Sequence, residues 1–350
     1  MTSRRSFLAG LAAVAIPCPT WADAGNPAYL AAAKQGETYA LHGLTETGES
    51  LFSLPIPSRG HATAAHPNRP LAVAFARRPG RFAVVIDCAN GVELARLIPP
   101  QGRQFNGHGV FSADGSILYT SEVVAETSEG RVGRWDATTF VRIDEWASGG
   151  IGPHDIKRLG TTLVIANGGI ATDPRDRTKL NIPTMRPNLT QLSDTGAILA
   201  QADLPGLSQN SIRHLALGAD GQIAFAMQWE GDPAETVPLL GLWRPGSAPR
   251  LCEAAESEAL RMKGYAGSIA WNAAGQIAVT SPKGGVAMLF DEDGQFLATH
   301  ARGDICGAAP LGAAGFLFSD GSGGLMTLVA GSLVPLNRLA LHWDNHIVSL

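Results

Sequence analysis

The chain has 350 residues, 45% of them hydrophobic and only 17% charged, with 27 basic against 31 acidic side chains and a formal net charge of −4. A slightly acidic chain argues against a nucleic-acid partner, whose phosphates select basic surfaces. The 41 glycines and 22 prolines describe many short strands joined by tight turns, which predicts an all-β protein.

Residues 1–24 read as an address. Ser3-Arg4-Arg5-Ser6-Phe7-Leu8 and the small apolar run that follows form a twin-arginine signal, with Arg4 and Arg5 as the recognised pair. Ala22-Asp23-Ala24 supplies small residues for cleavage after Ala24. Cys18 raises a lipid anchor as the alternative, although Pro17 directly before it fits a lipidation site poorly. No later segment approaches the roughly 20 apolar residues that a membrane span needs. Residues 25–350 are therefore expected to be one soluble periplasmic domain. Three cysteines remain, Cys88, Cys252 and Cys306. An odd number where disulfides can form leaves at least one thiol free, reactive or ligating.

Three strands without an upstream partner come first: Tyr29 to Ala33, Thr38 to Leu44 and Leu51 to Ile56. His61 opens a four-stranded unit, with strands at Ala62 to Ala65, Leu71 to Ala76, Phe82 to Asp87 and Glu93 to Ile98. His108 opens the second, which continues through Ile117 to Ser121, Gly130 to Trp135 and Val141 to Trp146. Its Arg134-Trp135-Asp136 resembles the third-strand signature of WD-type propellers. The third unit starts at His154, passes through Leu163 to Asn167, and meets a long insertion, Asp173 to Asn188. His214, Ser268 and Cys306 open three more, and a last strand carries His346. The hairpin itself repeats: Asp114, Asp220 and Ala274 stand at the same place in the turn after His108, His214 and Ser268.

A period of about 40–50 residues with four strands per unit predicts a seven-bladed β-propeller. One strand remains at the C-terminus and three at the N-terminus. The predicted closure joins them into the seventh blade, which leaves no sheet edge unpaired by a missing strand.

In a propeller the first strand of each blade lines the central channel. His61, His108, His154, His214, Ser268, Cys306 and His346 are thereby expected at one mouth, and they include five of the nine histidines. One explanation is structural. WD-type repeats tie blades with a histidine, but in the loop before the strand, whereas His108 lies only three residues before Phe111. Imidazoles can also simply cap strand backbone beside ordered water. The functional explanation is a convergent cluster for a transition metal (iron, copper or zinc) or for an anionic small molecule, with a Cys306 thiolate favouring copper or zinc. Asp155 and Asp304 are candidates to orient imidazoles. No local chelate spacing exists, so such a site depends on tertiary geometry.

Arg175, Arg177, Lys179 and Arg186 make the insertion basic. It is expected to be a lid, a surface for an acidic partner, or a solvated loop. Phosphate-binding loops, a G-x-S-x-G elbow, dinucleotide fingerprints and a CxxCH haem motif are all missing, so enzyme activity is not the leading expectation.

As a set, Gly107-His108-Gly109-Val110-Phe111-Ser112, Gly152-Pro153-His154-Asp155-Ile156, Ala166-Asn167-Gly168-Gly169-Ile170, Ser211-Ile212-Arg213-His214-Leu215-Ala216, Thr280-Ser281-Pro282-Lys283-Gly284-Gly285 and Trp343-Asp344-Asn345-His346 resemble the Tat-exported propeller family of domain of unknown function 1513. The resemblance runs from about residue 36 to the end. Members of that family are typically encoded beside imelysin-type proteins and di-haem peroxidases in iron-acquisition loci. The resemblance thus implies a periplasmic binding or accessory role near iron uptake, with those proteins as partners. It carries no catalytic residue with it. Single blades are also similar to those of seven-bladed lactonases, which share Arg-His-Leu-Ala strands with an Asp-Gly turn. That implies an alternative, a hydrolase with a ring histidine as general base and Arg213 holding an anionic substrate. A non-catalytic scaffold is the third reading.

Overall fold

The computed structural model describes residues 19–77, 80–204, 206–329 and 331–350. Arg4, Arg5 and Cys18 lie outside them. The strands form seven antiparallel sheets of four, six of them in chain order from the channel outward and the seventh with the C-terminal strand innermost. The inner strands are Gly60–Ala65, Arg103–Phe111, Pro153–Leu159, Asn210–Leu217, Ser268–Trp271, Ile305–Leu311 and His342–Ser349, for blades 1 to 7 in that order. Each adjoins the next, and His342–Ser349 returns to Gly60–Ala65. The protein is a seven-bladed β-propeller.

Blade 7 is closed as expected. His342–Ser349 pairs with Tyr29–Gln35, which pairs with Thr38–Leu44 and then Ser50–Ile56. Two hydrogen-bonded ladders thus bind the chain's ends into one sheet.

The strand patterns follow from position in the blade. Middle strands are covered on both faces by neighbouring blades, so Leu71–Ala76 and Val286–Phe290 are buried throughout and read as unbroken apolar runs. Outer strands have one wet side, and Ser50–Ile56 and Val92–Leu97 are largely exposed. The core is accordingly divided among the spaces between blades. Phe75, Phe105 and Trp135 fill the space between blades 1 and 2, Phe225 and Trp243 that between blades 3 and 4, and Phe316 and Phe318 that between blades 5 and 6. Leu30, Leu41, Val84 and Ile86 seal blade 7 against blade 1.

Packing begins earlier than residue 25. Trp21–Ala24 form a 3-10 turn capped by Thr20 and Asp23. The Trp21 indole donates to the His66 carbonyl at 2.9 Å, and Ala24 is buried in the cluster between blades 7 and 1. In blade 3 the insertion leaves after Thr162–Asn167 and returns before Asn188–Leu192, so Asn188 already belongs to the strand. Among the described residues no helix is long and apolar enough to cross a membrane.

Blade 7 gives the first prediction. Leu44 is fully buried in the cluster that joins blades 6 and 7, so Leu44→Ala should cost about 2–5 kcal/mol, read as a lower denaturation midpoint at unchanged slope. Truncation before His342 leaves Tyr29–Gln35 without its inner partner and should abolish cooperative melting. A truncated chain that melts like the full one would show that closure of the ring contributes nothing.

Candidate functional site

All five ring histidines lie within or beside an irregularity of an inner strand. In blade 1 the register shifts between Gly60 and Thr63, around His61. It shifts between Phe105 and Gly109 around His108, and between Pro153 and Asp155 around His154. In blade 4 the shift between Ile212 and His214 leaves Arg213 as the extra residue. Blade 7 does the same on its inner strand: Trp343 opposes Ala33 and Ile347 opposes Ala31, so Asp344, Asn345 and His346 face a single residue. Extra residues of this kind bend a strand and re-aim its side chains, here toward the axis. Gly107 makes room for one of them. It has φ of 100°, and a Cβ there would lie 2.3 Å from Cδ2 of His61.

His61, His108, His154, His214 and His346 come together. Ring centroids are 4.7 Å apart for His108 and His154 and for His154 and His214, 4.8 Å for His214 and His346, and 4.8 Å for His61 and His346. These residues belong to blades 7, 1, 2, 3 and 4, a continuous arc of the ring. Among the described residues, two groups hold their ligand atoms within 4.8 Å of one another: His61, His108 and His154, and His108, His214 and His346.

Hydrogen bonds assign the tautomers of two of these imidazoles. Nδ1 of His108 lies 3.1 Å from Oδ1 of Asp155, and Nδ1 of His154 lies 2.9 Å from the carbonyl oxygen of Arg213. Both partners only accept, so each Nδ1 carries the proton and each Nε2 keeps a lone pair. Nε2 of His154 sits 3.3 Å from Nε2 of His61. Tetrahedral nitrogens at about 2.0–2.1 Å from a zinc ion are separated by about 3.3 Å. Nε2 of His108, Nδ1 of His214 and Nε2 of His346 are buried and meet no protein partner. The groups behind the imidazoles are held in place as well. Asp155 accepts from the amides of Ile156 and Leu215 at 2.8 and 2.9 Å, and Ser121 Oγ bridges the carbonyls of His108 and His154 at 3.1 and 3.3 Å.

The other expected residues part from this cluster. Cys306 buries its thiol among the carbonyls of Ser319, Trp343 and Asp344, in the core between blades 6 and 7. Burial pushes the thiol up to about 12, so the expected soft thiolate is not formed there. Cys88 and Cys252 are also free and buried. Ser268 is buried on a strand of unbroken register. Asp304 orients no imidazole of the ring: it occupies a left-handed turn, φ 55°, before the inner strand of blade 6, with its carboxylate against Gly321. Within the insertion, Thr172 and Lys179 bridge a small hairpin. Arg177 and Lys179 reach the site, whereas Arg175 pairs with Asp173 at 2.8 Å and Arg186 is exposed.

Residues 54–350 match the family described as "Protein of unknown function (DUF1513)". The chain belongs to this family. No curated protein matches it in sequence. Among solved structures it is similar to a chain of Kuenenia stuttgartiensis hydrazine synthase, at TM-score 0.60 and 10% identity over 87% of this chain and 90% of that one. It is also similar to a chain of the mitotic checkpoint complex, at TM-score 0.57 and 11% identity over 81% of each. At these identities the likeness is one of fold alone.

Above the imidazoles lies a chamber of about 270 Å³, with His61, His154 and His214 among its lining residues. Its walls bring in Arg59 and Arg77, which sequence reasoning missed. Arg59 stands two residues before His61 in a chain poor in charge, and that was the available signal. Asp344 also lines the chamber and takes a charge-assisted bond from Arg59 at 2.7 Å.

Burial holds His108 below the usual imidazole range, with Asp155 opposing, and holds His154, His214 and His346 well below it. For His154 the Arg213 charge and for His214 the His346 charge add to the effect. Burial acts on Asp155 in the opposite sense, but Lys157 at 3.6 Å, His108 and the amide donors keep it ionised. His108, His154, His214 and His346 are therefore neutral donors beside one carboxylate.

A pH dependence follows. As pH falls through about 6.5, the ordinary imidazole value, the unfolded chain takes up protons that these folded imidazoles refuse. Stability should be fully present above that pH and be lost below it, by about 1.4 kcal/mol per pH unit for each such histidine. His42 and His66, pushed down to about 4 by burial, add to the slope. The decisive measurement compares chelator-treated wild type with His214→Gln and His346→Gln between pH 5 and 7.5. Each variant should show a shallower loss, and equal slopes would mean that the imidazoles are not held neutral.

Proposed function

We propose that this protein is a periplasmic binding or accessory protein of a metal-acquisition system, exported by the twin-arginine route, which holds a first-row transition ion in an all-imidazole site. The observation that carries the reading is the meeting of five imidazoles from five blades, three of them with a buried ring nitrogen that has no protein partner. A buried polar atom left unpaired costs about 1–3 kcal/mol, so three in one cluster call for an occupant. Neutral imidazole suits zinc, copper, iron and nickel. The His108–Asp155 bond is the carboxylate–histidine arrangement that orients a ligand and raises its basicity. The family's association with iron-acquisition loci makes iron the first ion to test, and imelysin-type proteins and di-haem peroxidases the first partners.

The natively exported protein, purified from cells grown with iron, copper and zinc, should carry stoichiometric metal by elemental analysis. Replacing His108 and His214 together by alanine should remove it. Asp155→Asn, which keeps all five imidazoles, should weaken metal binding about 10–100-fold. Stoichiometric absence of every metal from the exported protein would overturn the reading.

A further inference from the structure

The chamber above the imidazoles is charged in a way that the imidazoles do not explain. Five cations line it, Arg59, Arg77, Arg177, Lys179 and Arg213, against two carboxylates, Glu230 and Asp344. Both carboxylates are engaged: Asp344 pairs with Arg59 at 2.6 Å, and Glu230 pairs with Lys179. Among the described residues Arg77, Arg177 and Arg213 form no ion pair; Asp344 and Glu230, already engaged, act on Arg77 and Arg213 only from a distance. Arg213 is the telling one. It is 6% exposed, it projects from the irregular inner strand of blade 4, and its Nε meets no protein partner. An arginine guanidinium carries five donors and does not give up its charge in proteins, so an unpaired one in the interior is costly unless an acceptor reaches it. The other two converge on it from separate elements, Arg77 from the end of the second strand of blade 1 and Arg177 from the tip of the blade 3 hairpin.

We infer that this chamber is an anion site, taking a small polyanion with carboxylate or phosphate oxygens that spans Arg77, Arg177 and Arg213 above the imidazole floor. Bidentate recognition by guanidinium favours these two chemistries. The volume accommodates a compact tricarboxylate or a phosphate and excludes a macromolecule. Where the metal reading also holds, on which this extension rests, the anion completes the ion's coordination, and the protein carries its metal as an anionic complex. The fixed positive charge that would repel a bare cation then attracts the cargo.

The test is calorimetric titration of the natively exported protein with citrate and, separately, with inorganic phosphate, in chelator-treated and zinc-loaded forms. Saturable binding of at least one anion is expected, tighter at low salt and at least tenfold weaker in Arg213→Gln. Arg177→Ala, an exposed substitution on the hairpin, should weaken it without altering the thermal melt, which separates loss of contact from loss of fold. Binding only in the zinc-loaded form supports the anion as co-ligand. Binding in both forms supports a site that stands without the metal, even if elemental analysis fails. The inference is overturned if neither anion binds in either form, or if binding is indifferent to Arg177 and Arg213; metal content would be unaffected by that outcome.

Discussion

Closing seven twisted sheets into a ring forces seven inner strands to share one axis, and that constraint governs everything at the centre. Along a regular strand, side chains alternate between the two faces of a blade and pack into the spaces between blades. An extra residue breaks the alternation and turns a side chain inward. This chain does so on five neighbouring inner strands, at or beside a histidine each time. The imidazoles then remove one another from water. Burial disfavours their charged forms, and crowding adds mutual repulsion. A set of neutral nitrogen donors is therefore a product of the ring's geometry.

A structural role would leave a different signature. Histidines that merely cap strands place their ring nitrogens on backbone groups, and His154 does so on the Arg213 carbonyl. His108 instead spends one nitrogen on Asp155 and leaves the other buried without a protein partner, and His214 and His346 each keep such a nitrogen too. Leucine or phenylalanine at these positions would fill the channel without that cost. The twin requirement, oriented tautomers at His108 and His154 and unpaired nitrogens beside them, is what metal ligation asks for and packing does not.

Much of this was legible in the sequence, for physical reasons. Middle strands such as Leu71–Ala76 announce themselves because both faces are buried, and turns such as Ser112 to Gly115 because Asp114 must accept from Ser112 and Ser116. The split seventh blade followed from counting unpaired strands. The five histidines were legible as a set because they recur at one place in each unit. Their irregular strands were not, since an extra residue leaves no mark on composition. Cys306 misled because it shares the recurring position: its blade also shifts register, between Ile305 and Ala308, yet the thiol turns into the core. Asp155 and Asp304 looked equivalent as neighbours of ring positions, and only the ladder separates them. Arg59 and Arg77 flank the first two strands of blade 1 and meet across that hairpin, where the Arg77 amide donates to the Arg59 carbonyl at 3.0 Å, but 17 residues of intervening chain hide the pairing in the sequence.

The insertion in blade 3 makes sense only in terms of charge. The protein is acidic overall, and a loop meant simply to shield the channel mouth would do best with neutral or acidic groups, because Arg77 and Arg213 already leave positive charge there. Instead the hairpin tip adds Arg177 and Lys179. Lys179 is answered by Glu230 in blade 4, which ties the hairpin down, and Arg177, held at a φ of 71°, forms no ion pair among the described residues. Each further cation raises the cost of the others: burial first, then Arg59 and Arg177, press the Arg77 guanidinium below its ordinary value, and burial pushes Arg213 down to about 10. A fold that gathers like charge around a buried guanidinium, and fastens a separate hairpin over it to add more, raises its own electrostatic cost, and an anion from outside the chain would relieve that cost.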